Sequence, residues 1–161
     1  MRRALVDGTT PSSCTVPVSF GVVVARSPSA ARELGPPVDL NYVDPLNGDP
    51  QPDVFTLVLV DGRGAFASGG IAPKTIQLGG VEAAYATCGG CVEIFSDVNA
   101  QGNFAAFYLA SSGTLTITAV SPRLTGTLST VTLVHLDDND VVVDACTTRI
   151  DSLAFDVPIS P

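Results

Sequence analysis

The sequence predicts an all-β domain, an antiparallel β-sandwich stapled by disulfides, with jelly-roll and immunoglobulin-like strand orders both open. Three observations predict it. Short apolar, β-branched runs recur along the chain, and 15 Gly and 12 Pro punctuate them. No stretch between those breakers keeps the i, i+3, i+4, i+7 apolar spacing of a helix. The 4 cysteines are an even set, available as staples.

The elements follow in order. Residues 1–15 form an N-terminal arm, and 16–161 a single domain of ordinary size. Val16 to Ala25 is a β-branched apolar run. Residues 26–52 are proline-rich and read as a long surface loop inside the domain, with "SPSAARELG" at most a single helical turn. "VFTLVLV", 54–60, is a buried run, turned by "DGRG" at 61–64. "KTIQL", 74–78, lies between Pro73 and a Gly pair. Ala83 to Thr87 and Val92 to Phe95 read as strands flanking "CGGC". Phe104 to Ala110 follows the turn "DVNAQGN", and Ser111-Ser112-Gly113 reads as a hairpin turn. "TLTITAV", 114–120, alternates cleanly, with Leu115, Ile117 and Ala119 on one face and threonines on the other. "TGTLSTVTLVHL", 125–136, is a long strand, Val141 to Val143 a short one. "DSLAFDV", 151–157, puts Leu153, Phe155 and Val157 on one face.

Composition excludes several functions. The net charge is -8 and the 8 Lys and Arg are scattered, too few to neutralise a run of phosphates, so nucleic acid is not a partner. No apolar run reaches the roughly 20 residues of a membrane-spanning helix. No leader is expected within these residues, which leaves a mature fragment open: Arg2 and Arg3 are not followed by a hydrophobic segment, and the residues before Cys14 make a poor lipobox. Only 15% of residues are charged and the mean hydropathy is +0.36.

Cys88 and Cys91 are the one closely spaced pair. A zinc ribbon needs a second such pair or a pair of histidines, and a thioredoxin-type site needs a helix after the first cysteine. The sequence offers neither. All four cysteines, Cys14, Cys88, Cys91 and Cys146, therefore read as a disulfide framework in an exported protein. Cys88 and Cys91 close a small ring, or each takes a distant partner, Cys14 or Cys146. The distant pairing is the expectation, since closing a long loop contributes about 4 kcal/mol in the chain-entropy model.

The segments "ATCGGCVEIFSDVN", "GNFAAFYLASSGTLTITAVSPRLTGTLSTVTLVHL" and "ACTTRIDSLAFDV" carry a resemblance. Over residues 54–157 the chain resembles a recurrent domain of predicted secreted proteins and lipoproteins of myxobacteria and their relatives. That resemblance implies export and a β-sandwich. It transfers no catalytic residue.

His135 is the only histidine, with Asp137, Asp138 and Asp140 close by in sequence, and no G-x-S-x-G nucleophile motif accompanies it. It reads as structural or solvated, and catalytic residues are expected to be none. Asp97, Asn99 and Gln101 place oxygen side chains at alternate positions before Gly102, as at the start of a calcium loop, but Tyr108 stands where a bidentate Glu belongs. They are a weak Ca²⁺ candidate beside a plain hairpin turn; otherwise no cofactor is expected. "DDND", 137–140, is a second acidic turn. Tyr42, Tyr85 and Tyr108 are the aromatic candidates for a glycan platform, in a chain without Trp. The expected function is a non-enzymatic structural or interaction module, extracellular or at the cell surface, possible self-association being its partner chemistry. The alternative is a Ca²⁺- or glycan-binding module. Phe104 to Ala110 and Thr114 to Val120 carry no charge, so at a sheet edge nothing in them would block pairing with another chain.

Overall fold

The computed structural model describes residues 14–24, 31–33 and 40–160. Within them the chain is mostly strand: β1 (Gly21–Val24), β2 (Ala31–Glu33), β3 (Leu40–Pro45), β4 (Val54–Leu59), β5 (Lys74–Gln77), β6 (Gly90–Ser96), β7 (Ala106–Val120), β8 (Arg123–Leu136) and β9 (Val142–Ser160). Two short 3-10 turns, Gly64–Phe66 and Gly80–Ala83, lie between β4 and β6.

All nine strands belong to one sheet, ordered β1-β9-β2-β3-β4-β6-β7-β5, with β8 pairing both β7 and β9. The pairing thus runs back on itself and the sheet curls into a half-barrel. This corrects the expected sandwich. It also corrects the purely antiparallel expectation, because β1 and β2 both run parallel to β9. The physical reason lies in β7, β8 and β9, which are 15, 14 and 19 residues long. Strands of that length bend at bulges instead of breaking into two stacked sheets. The β7–β8 register shifts between Ala110 and Ser112 and again between Ser112 and Thr114.

Ser111-Ser112-Gly113 is therefore a bulge within β7, not a hairpin turn. Gly113 has φ +121°, and a Cβ there would sit 2.6 Å from the Val131 Cα on β8. Val141 to Val143 and "DSLAFDV" likewise merge into one strand, β9. Residues 26–52, expected as a loop, contribute β2 and β3; β3 is held between β2 and β4, with Tyr42 fully buried. Its inward positions are Leu40, Tyr42 and Asp44, and the buried Asp breaks the apolar signature of a strand. Ala83 to Thr87 forms turns instead of a strand, and of the described part of the run from Val16, Gly21–Val24 is a strand, Ala25 lying outside the described residues. The arm before Cys14 lies outside the described residues.

The large core fills the inside of the curl. Phe55, Leu57 and Leu59 of β4, Leu115 and Ile117 of β7, and Leu153 and Phe155 of β9 point into it. Tyr42 anchors it, its ring centroid 5.8 Å from those of Phe55 and Phe155. A smaller cluster, Val60, Cys88, Cys91, Phe107, Leu109 and Leu136, lies on the other face of the sheet.

The disulfides are Cys14–Cys146 and Cys88–Cys91, with Cα–Cα distances of 5.6 and 5.4 Å. The expected distant pairing of both central cysteines is corrected to one distant bond and one small ring. The faces explain it. Cys88 and Cys91 belong to the outer cluster, whereas Cys146 packs against the inner one. Cys14–Cys146 spans 132 residues and contributes about 5 kcal/mol in the chain-entropy model. Proteolysis without reduction is expected to yield one cross-linked peptide pair joining the Cys14 and Cys146 fragments, with Cys88 and Cys91 bonded inside one fragment. A peptide joining Cys88 or Cys91 to either end of the chain would show the pairing to be wrong.

Candidate functional site

Polar side chains collect at one end of the curl, where β4 begins, β6 and β8 end, and β7 and β9 begin. His135, near the end of β8, donates from Nδ1 to Asp144 Oδ2 of β9 at 2.8 Å. Asp144 Oδ1 accepts the Cys146 amide at 2.8 Å, which places the pair beside the Cys14–Cys146 bond. The imidazole stacks on Tyr108, 5.1 Å between centroids. The Tyr108 hydroxyl shares a 3.2 Å hydrogen bond with Thr15 Oγ1, and Ser96 Oγ donates to the same atom at 2.9 Å. Asp53, just before β4, takes the Asp97 amide and Asn47 Nδ2. These bonds tie the first described residues, β6, β7, β8 and β9 together at one end.

The electrostatics follow from burial and neighbours. Burial pushes the Asp53 carboxyl above its usual range; the Asp97 amide opposes this, and the charges of Asp97 and Asp49 add to it. Burial also raises Tyr108, against its bond to Thr15, with Asp144, Asp53 and Asp97 adding. For Asp144 burial acts upward, but the bonds from His135 and the Cys146 amide outweigh it and hold the carboxyl below its usual range.

An Asp–His pair fixes the imidazole tautomer, as in general-base catalysis. A base also needs a hydroxyl within about 3 Å of its free nitrogen. His135 Nε2 is buried and has no hydrogen-bond partner among the described residues. The hydroxyls of Ser96, Thr15 and Tyr108 bond to one another instead. The sequence placed His135 next to Asp137, Asp138 and Asp140, whereas its partner is Asp144. Asp137 is spent on its own turn, accepting the amides of Asn139 and Val141.

The Ca²⁺ candidates fall in the β6–β7 hairpin. Asn99 Oδ1 accepts the amides of Gln101 and Asn103, both at 3.0 Å. Asp97 has φ +51° and donates its amide to Asp53. Of the three, the Asn99 side chain forms the turn while Asp97 and Gln101 contribute their amides, and no group of three or more His, Cys, Asp or Glu among the described residues is placed to hold a metal. Of the tyrosines, Tyr42 and Tyr108 are inside; Tyr85 is 40% exposed and lies edge-on to Phe107.

Glu82 was not singled out by sequence. It is buried, and its carboxylate takes the amides of Ala65 at 2.6 Å and of Gly89 and Gly90 at 2.8 Å. One side chain thereby joins the 3-10 turn after β4 to the "CGGC" loop. A Cβ at Gly89 would lie 2.3 Å from the Arg63 carbonyl oxygen, so the loops approach as closely as glycine permits. The available signal was an acid flanked by Gly79-Gly80 and Gly89-Gly90, residues that leave amides open to a carboxylate.

Two surface features remain. A pocket of about 210 Å³ is lined by Val54, Phe95, Val98, Gly102 and Phe104. Across the outer face of β5, β7, β8, β9 and β1, strand register aligns two rows. One runs Thr75, Thr116, Thr127, Ala154, Val24; the other runs Gln77, Thr114, Ser129, Ser152, Val22. Neither row carries a charge.

Glu82→Ala is expected to destabilise the fold by about 3 kcal/mol or more, by orphaning buried amides. Glu82→Gln keeps an acceptor and is expected to cost less; chemical denaturation measures both. Asp144 gives a pH test. Its folded value is depressed, so its contribution is present above the unfolded value and is lost as pH falls through the folded one. Asp53, raised, contributes in the opposite sense. Between about pH 4 and about pH 2 the wild type is expected to lose more stability than Asp144→Asn. Equal losses would show that the bonds from His135 and the Cys146 amide do not depress the Asp144 carboxyl.

No protein-family model, curated protein or solved structure matches this chain, so its function must be argued from its own geometry.

Proposed function

We propose that this chain is a non-catalytic, exported structural and interaction module that associates with copies of itself. The observation that carries the reading is the outer face of β5, β7, β8, β9 and β1: ten register-aligned positions without a charge, ending in Val22 and Val24, which are 72% and 75% exposed. In a chain of net charge -8, two copies repel wherever their charges meet. Two rows without a charge, flanked on the same face by the paired Arg123–Asp156 and Arg149–Asp151, lower that penalty at one place. Ordinary globular chains carry roughly 25% charged residues overall, well above this chain's 15%.

Export is supported by the pairing of all four cysteines, as oxidising compartments favour. The resemblance to secreted and lipoprotein β-domains points the same way. Against catalysis stands the polar end of the curl, whose hydroxyls bond to one another while His135 Nε2 faces none of them. A Ca²⁺-binding module would have to recruit Asn99 Oδ1, which already accepts two amides.

Size-exclusion chromatography with light scattering, from about 10 µM to about 1 mM, tests the reading. The expected outcome is a mass that rises with concentration above the 16.5 kDa of one chain. A constant monomer mass throughout would overturn it. Calcium at about 1 mM is expected to leave the melting temperature unchanged; a rise that Asp97→Ala abolishes would favour the ion-binding alternative.

A further inference from the structure

Among the described residues, two strands of the sheet have a side with no partner strand. Among the described residues β1 pairs only with β9, and β5 only with β7. A free side presents unpaired amides and carbonyls that template another strand, and proteins commonly block it with a charge, above all a lysine. On β5 that device is present: Lys74 opens the strand, its Nζ bonded to the Ala65 carbonyl and 5.8 Å from the centre of the Phe66 ring. On β1, Gly21-Val22-Val23-Val24, no charge is present at all.

We propose that β1 is the self-association contact: two copies pair β1 to β1, antiparallel about a two-fold axis centred on Val23. This rests on the self-association reading above and fixes its location and symmetry. A second copy is the occupant because a two-fold contact needs nothing beyond the edge itself. Charge points the same way. β1 and its register partners Ile150, Ser152, Leu153 and Ala154 are uncharged, and Asp151, at the register shift beside them, is paired with Arg149, so two acidic molecules meet little opposing charge there. A charged partner strand would bury charges for which this edge offers no counter-ion.

Side-chain parity sets the register. Residues opposite each other in an antiparallel pair point to the same face. Val22 and Val24 are exposed, whereas Val23 packs against the inner core. A one-residue slip would pair exposed with inward positions. Centring on Val23 sets Val22 of one copy against Val24 of the other, twice, and covers all four exposed valines. It also joins the uncharged rows of the two copies across one continuous sheet. With Lys74 guarding the other edge, growth stops at two copies instead of running on as a fibre. A four-residue strand per copy is smaller than the roughly 800 Å² per partner of a stable interface, so the dimer is weak and concentration-dependent.

Sedimentation equilibrium of the wild type and of Val22→Lys, Val24→Lys and Thr127→Lys tests the contact. Thr127 is exposed on the same face but lies on β8, away from the edge. The expected result is a dimer in the wild type and Thr127→Lys, and association weakened about tenfold or more in the two β1 variants, with melting temperatures unchanged. A dimer that survives both β1 substitutions overturns the β1 contact while leaving self-association standing. Loss in all three variants overturns it in favour of face-to-face packing. A wild type that stays monomeric at about 1 mM overturns both readings. Val22→Cys mixed with Val24→Cys is expected to form an oxidised cross-linked dimer, which neither variant forms alone. Cross-linking of either single variant would overturn the Val23-centred register.

Discussion

The structure depends on the fit between two irregularities in adjacent long strands. β7 bulges at Ser111-Ser112-Gly113, and facing it β8 carries Thr130 at φ +53°. Gly113 lets the strands close, since a Cβ there would meet the Val131 Cα and the Thr130 carbonyl within 3 Å. Bulges increase local twist and bend a strand without ending it. β7 can therefore pair with β6 at its first half, with β5 at its second, and with β8 along most of its length. From that bend follow the curl of the sheet, the single large core inside it, and the return of the pairing through β9.

Strands marked by apolar runs or by clean alternation were legible: the buried run Val54–Leu59, the alternation of Leu115 and Ile117, and the long mixed-faced run of β8. So was the "DVNAQGN" hairpin. Sheet architecture was not, because a bulge and a turn look alike in sequence. Ser-Ser-Gly meets the composition of either, and only the residue across the ladder decides between them. β7 thereby became central, and the uncharged segments Phe104 to Ala110 and Thr114 to Val120 are not edges. β3 was hidden by the prolines around it and by the buried Asp44, whose carboxylate accepts the Tyr42 hydroxyl at 3.2 Å.

The polar sites were less legible, for a related reason. A carboxylate's role depends on which donors the fold brings to it. His135 stood out as the lone histidine, but its partner came from the far side of the β8–β9 turn, past three closer aspartates. Glu82 gathers amides from residues 17 and 8 positions away, and its three bonds exist only after both loops have closed. The cysteine pairing failed on the same information. Spacing and loop entropy favoured long-range bonds, but β6 turns Cys91 to the outer face, out of reach of Cys146.

The outer rows show the opposite relation between sequence and surface. Each threonine in "TLTIT" is legible as outward-facing, yet nothing in that segment says that Thr116 aligns with Thr75, Thr127, Ala154 and Val24. Register makes the row, and the bulges set register. A shift of one residue in β8 against β7 would turn Leu128 and Thr127 to the wrong sides, costing about 2 kcal/mol for each leucine-sized side chain brought out of the core. The inner core therefore holds the uncharged outer rows in place. Burial of Leu115, Leu128 and Leu153 fixes the same register that lines up Thr114, Ser129, Ser152 and Val22 beside them. The uncharged outer rows follow from the packing of the interior, and they end at β1, which carries no charge and pairs only with β9 among the described residues.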